Sequence, residues 1–238
     1  MIDQLSSKRN CRPSGRLSAH LVRMMSSAAI FGLLASGAPK HALAHPHVFI
    51  EANLEVVRND RGEATEIRHV WRFDELFSSS LLLDFDANGN GKLDESELQE
   101  IAGITRESIA GYNFYTEIRK GEKVGNFYEP DPYIVDQDGG QLLIIFSLEL
   151  EKPLAIGAEG FKIAVSDPTY YVAVELQDEG SVLITGNDKG CSYEIVRPDF
   201  DKLYAEDAQR LADLFAAGPD DEVEASDDYL TWVEFKCA

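Results

Sequence analysis

The sequence predicts an α+β fold, a mainly antiparallel β core that carries an EF-hand-like helical insertion and a C-terminal helix. Three observations predict it. Residues alternate in period two from His47, with Val48, Ile50, Ala52, Leu54 and Val56 on one face and His47, Phe49, Glu51, Asn53 and Glu55 on the other. Short β-patterned stretches separated by Gly, Asp and Pro recur from Gly111 to about Pro198. Helix-period apolar residues flank "FDANGNGKL" and return after Pro198.

The first element is a leader. Lys8, Arg9, Arg12, Arg16 and Arg23 precede the apolar run "MMSSAAIFGLLASGA", and Ala42 to Ala44 supply the small residues of a signal-peptidase site. Residues 1–44 therefore read as a signal peptide cleaved after Ala44, with translation starting at Met1 or at Met24 or Met25. A membrane anchor is the alternative, but the run is shorter than the roughly 18 residues of a spanning helix. The expected location is the periplasm, with no membrane insertion after cleavage.

Residues 45–238 form the expected mature domain. A strand from His47 turns at "NDRGE" and returns as "ATEIRHVWRF". The insertion, residues 74–110, follows as two short helices, Asp74–Asp84 and Asp94–Gly103. The stretches "YNFYTEIRK", "QLLIIFSLELEKP", "FKIAVSD", "YYVAVELQ", "SVLIT" and "CSYEIVRP" read as strands. Phe200, Leu203, Tyr204, Ala208, Leu211, Leu214 and Phe215 make the stripe of a C-terminal helix, read as core packing. A last strand, "YLTWVEFKC", follows an acidic loop.

The whole chain carries a formal charge of −20; without residues 1–44, 16 basic residues face 41 acidic ones, or −25. Such a surface repels nucleic acid and anionic lipid and attracts cations. Of three cysteines, Cys11 lies in the leader, so Cys191 and Cys237 are expected to pair in an oxidising compartment, a two-thiolate metal site being the alternative.

The strongest local motif is "DANGNGKLDESE". As a twelve-residue calcium loop it places oxygen donors Asp86, Asn88, Asn90, Asp94 and Glu97 at positions 1, 3, 5, 9 and 12. Gly91 takes the sharp turn at position 6, Lys92 offers its backbone carbonyl at position 7, and Leu93 is the apolar eighth. Calcium requires six to eight oxygens, of which Glu97 can give two. With two asparagines in place of aspartates, weak binding with a structural role is expected.

Histidines supply the second constellation. His45 and His47 lie on the same strand face, and cleavage would add the α-amine of His45. Imidazoles suit zinc, nickel, cobalt or copper, while Pro46 has no N–H to give a square-planar terminal site. His69 is a less certain third donor: in a simple hairpin around Gly62 it lies opposite Asn53, roughly 20 Å from His47. Asp167, in "SDPTYYVAVEL", reads as a turn cap in preference to a ligand, with Tyr170 and Tyr171 packing beside it. No phosphate loop, G-x-S-x-G elbow or H-E-x-x-H helix is present, and no catalytic residues are assigned.

Taken together, "HPHVFIEA", "IRHVWRFDELFSSSLL", the single calcium-type loop, "DPTYYVAVEL" and "GCSYEIVRP" resemble the bacterial domain-of-unknown-function family 1007, catalogued as the periplasmic component of an uncharacterised ABC-type transport system. The resemblance covers nearly all of the mature chain to about Pro198. It implies handling of transition metals outside the cytoplasmic membrane, because members are often encoded near membrane transporters of nickel, cobalt or related metals. The expected function is a metal-binding accessory protein partnered with a membrane metal transporter. A calcium-stabilised interaction module without transition metal, and a copper or zinc enzyme built on the terminal histidine, are its rivals.

Overall fold

The computed structural model describes residues 46–121, 123–156, 160–216 and 227–237. The leader, its cleavage site and His45 lie outside the described residues. Strand β1 (Val48–Arg58) is the central element, because its alternating side chains bury one complete face: Val48, Ile50, Ala52, Leu54 and Val56 are all in the core. Strand β2 (Glu63–Phe73) returns antiparallel beside it. Asn59 and Gly62 close the turn. Gly62 has φ of 75°, a left-handed conformation that favours glycine.

A bulge follows that turn: Arg58 pairs with Ala64, but Val57 pairs with Glu66. The extra residue moves the register by one, so His69 faces Leu54 and not the expected Asn53.

β2 pairs antiparallel with β6 (Gln141–Ala155), which pairs with β5 (Tyr133–Asp138). On its other edge β1 takes two parallel partners in succession, β8 (Val172–Glu175) and β9 (Val182–Gly186). The first sheet therefore runs β5-β6-β2-β1, followed by β8 and β9. The second is antiparallel: β10 (Cys191–Val196), β11 (Trp232–Cys237), β7 (Phe161–Val165), β3 (Thr116–Lys120) and β4 (Lys123–Val124), in that order. Buried residues of both sheets, among them Leu54, Trp71, Leu148, Ile118, Ile163 and Phe235, form one hydrophobic cluster.

Two helices, α1 (Glu75–Phe85) and α2 (Glu95–Ala110), lie between β2 and β3 in the chain. α1 is tied to the first sheet at its start. The Ser78 hydroxyl, buried, donates to Asp74 O and accepts from Leu142 N–H, and Gln141 donates to Phe73 O. The predicted strand "YNFYTEIRK" starts late: Asn113, Phe114 and Tyr115 have φ near 50° and form a 3₁₀ turn before β3.

The C-terminal helix is present as α3 (Phe200–Ala216), interrupted by non-helical Asp207. Its stripe does not pack as expected in its first turns. Phe200 is 47% and Tyr204 64% exposed, and Leu203 joins a small cluster around Tyr229. Cys191 and Cys237 stand directly opposite each other on β10 and β11 and form a disulfide spanning 46 residues of chain. The α+β class is thus observed, with parallel pairing at β1 added to an otherwise antiparallel core. Among the described residues no helix is long and apolar enough to cross a membrane.

Candidate functional site

The loop between α1 and α2 is organised by its own side chains. Asp86 accepts from the N–H groups of Asn90 and Gly91 at 3.0 and 2.7 Å. Asn88 Oδ1 accepts from Asn90 N–H, and Asn90 Oδ1 from Lys92 N–H. Each oxygen in turn collects an amide two to five residues on, which winds the chain into successive tight turns. Gly91 has φ of 76°, and Leu93 enters the core.

α2 then starts with a capping box. Asp94 accepts from the N–H groups of Ser96 and Glu97, and Glu97 reaches back to Asp94 N–H. The Ser96 hydroxyl, foremost, with these N–H groups holds the Asp94 carboxyl below its ordinary range. The second Glu97 oxygen accepts from Ala87 N–H, so this buried carboxylate joins the two ends of the loop. Asn88 Nδ2 donates to Asp94 and, at 3.4 Å, approaches Glu97.

Asp86, Asn88, Asn90, the Lys92 carbonyl, Asp94 and Glu97 are the oxygen donors that the loop could offer a hard cation such as calcium. The Asn88 amide is fixed in orientation by the N–H its oxygen accepts. Only three of these donors are carboxylates, and both Glu97 oxygens are engaged by backbone amides. Among the described residues, no three or more His, Cys, Asp or Glu side chains gather as a ready-made metal cluster.

The two described histidines are far apart and differ in setting. His47, exposed, donates its N–H to Tyr171 O at 2.9 Å, and its ring lies 5.1 Å from that of Tyr171. His69 is fully buried, opposite Leu54, seven residues along β1 from His47 or roughly 23 Å. The structure thus does not bring His69 to His47.

Hydrogen bonding sets the His69 tautomer. Thr116 has one hydroxyl proton, and it goes to Phe114 O at 3.0 Å. The 3.3 Å contact between Thr116 Oγ1 and His69 Nε2 therefore has the imidazole as donor, which leaves the Nδ1 lone pair buried and without a partner among the described residues. Burial lowers the His69 pKa to about 3, and the ring stacks on Phe146 as a neutral group.

Asp167 is buried and accepts from Thr169 N–H, Thr169 Oγ1 and Val172 N–H, all at 2.7–2.9 Å. It closes the turn into β8, the capping role its sequence context suggests. Asp74 emerges as a second organiser. Its carboxylate accepts from Phe77 N–H, capping α1, and from Phe49 N–H on β1, while Asp74 N–H donates to Phe49 O. One side chain therefore joins the loop's first helix to the strand that carries His47. "FDELF" contains the N-cap signal for α1, but nothing local announces the bond to Phe49.

A relative from Haemophilus influenzae, an uncharacterized protein, is 25% identical over 163 residues, which are 67% of this chain and 76% of that one. The uncharacterized 15.5 kDa protein in the trpE 3′ region of Spirochaeta aurantia is 25% identical over 116 residues, 46% of this chain and 78% of that protein. The family model described as Protein of unknown function (DUF1007) matches residues 30–237, and the chain belongs to that family.

Proposed function

We propose that the protein is a periplasmic metal-binding accessory protein. Calcium is held by Asp86, Asn88, Asn90, the Lys92 carbonyl, Asp94 and Glu97, and a transition metal, zinc, nickel, cobalt or copper, by the terminal His45 and His47. The partner is a membrane metal transporter, and export with cleavage after Ala44 frees the α-amine of His45. The observation that supports the reading best is the loop, whose side-chain oxygens follow one another in calcium-binding order and hold its backbone in successive turns. A calcium ion would offset two of the three carboxylate charges and replace the amide contacts of Glu97 with bidentate ligation.

For the histidine end the support is positional. His47 opens the strand held by Tyr171 O on one side and Asp74 on the other, so its backbone is fixed while its side chain is exposed. His69 is not in this donor set, because its free nitrogen is enclosed in the core.

Expression with the native leader, followed by mass spectrometry, is expected to give a chain beginning at His45. Metal titration should then resolve two independent classes of site. The calcium site should have a dissociation constant of about 10⁻⁴–10⁻³ M and lose saturable binding in Glu97→Gln. The transition-metal site should disappear in the double variant His45→Ala, His47→Ala and persist in Glu97→Gln. Calcium binding alone, equal in both histidine forms, would leave the calcium-stabilised interaction module as the function.

A further inference from the structure

Between the inner face of the first sheet and α2 lies a cavity of about 200 Å³. Ile50, Trp71, Phe73 and Ile144 give it aliphatic and aromatic walls from three neighbouring strands, and Thr105 and Ile109 approach from α2. Its rim includes two exposed residues, Ser108 and Tyr171, so solvent can reach it. No Asp, Glu, Lys, Arg or His is among the described residues that line it.

Two wall groups are chemically incomplete: the Trp71 indole N–H, on a residue 1% exposed, and the Tyr133 hydroxyl are both buried with no hydrogen-bond partner among the described residues, and of the two the indole can only donate. The contrast lies within the same molecule, since the indole of Trp232 donates to Asp227 O. A buried tryptophan normally finds such a partner, and an unmet donor in an apolar wall selects a ligand that brings the missing acceptor. Ring-shaped walls favour an aromatic ligand. The absence of charged lining groups disfavours an ionised one, whose desolvation nothing would offset.

We propose that this cavity is a binding site for a small uncharged aromatic molecule bearing one hydrogen-bond acceptor, which takes the proton of the Trp71 indole N–H. None of the proposed metal ligands lines the cavity, although its rim residue Tyr171 also contacts His47.

Acetophenone and ethylbenzene test it, because they share a shape and differ by the carbonyl. The protein has two tryptophans, hence two indole N–H signals in a nitrogen-15 correlation spectrum. Acetophenone is expected to bind in a saturable way, to move the Trp71 signal and not that of Trp232, and to bind roughly fivefold more tightly than ethylbenzene. Trp71→Phe should remove that preference. Ser108→Phe, a change at the exposed rim that leaves the core intact, should prevent both from binding. Equal affinity for the two ligands in the unaltered protein would overturn the ligand class. Failure of both to bind, with the Trp71 signal unmoved, would overturn the site and leave water as the occupant.

Discussion

At the residue scale, His69 links burial to acid sensitivity. Its folded pKa is lowered to about 3 by desolvation, against about 6.5 in the unfolded chain. Between those values the unfolded state binds a proton that the folded state refuses, so stability falls as pH drops through the window and is unaffected by this group above it. The slope is ~1.4 kcal/mol per pH unit, or about 2–3 kcal/mol from pH 6.5 to 4.5. His69→Phe keeps a flat ring on Phe146 but cannot titrate. Its urea midpoint is expected to change less over that interval than the unaltered protein's, whatever the offset at neutral pH from the lost Thr116 contact. Parallel slopes for the two proteins would show that His69 is protonated without unfolding.

At the scale of elements, Asp74 joins α1 to β1, and its substitutions separate the two bonds. Asp74→Ala removes the cap and exposes Phe49 N–H to water, which is expected to cost about 1–3 kcal/mol in urea unfolding. Asp74→Asn keeps one acceptor oxygen for two donors and should fall between them, with faster hydrogen exchange at Phe49 or Phe77 showing which bond is lost. The reading of these elements from sequence succeeded where the signal was local. The period-two run from His47 and the helix start at Asp94 each depend on residues within a few positions of one another. It missed the bulge opposite Val57, which moves His69 by one place. It also missed the positive φ of Asn113 to Tyr115, a conformation that asparagine tolerates but the two aromatic residues after it rarely adopt. The α3 stripe shows the converse error: periodicity predicts an amphipathic helix but not what its face meets, and Phe200 and Tyr204 remain exposed.

At the scale of the whole molecule, what was illegible is whatever long-range assembly creates. The calcium-type loop could be read because twelve consecutive residues contain it. The cavity at Trp71 draws on several elements, and the parallel pairing of β8 and β9 with β1 joins residues more than a hundred positions apart. The cysteine pair is an exception, legible from count alone, and the fold explains its leverage. β11 lies between β10 and β7, so the disulfide fastens this internal strand, which follows α3 in the chain, to the edge strand β10. Phe235 and Val233 on β11 are completely buried, so losing this strand would open the shared core. Chain entropy for a loop of this length gives an upper figure of about 4 kcal/mol, and 2–4 kcal/mol is expected for Cys191→Ser with Cys237→Ser. Because β11 is internal, the loss should appear as one cooperative transition at lower denaturant, with tryptophan fluorescence and circular dichroism coincident. Separate transitions would mean that β10 and β11 detach as a unit and that the core of the first sheet stands without them.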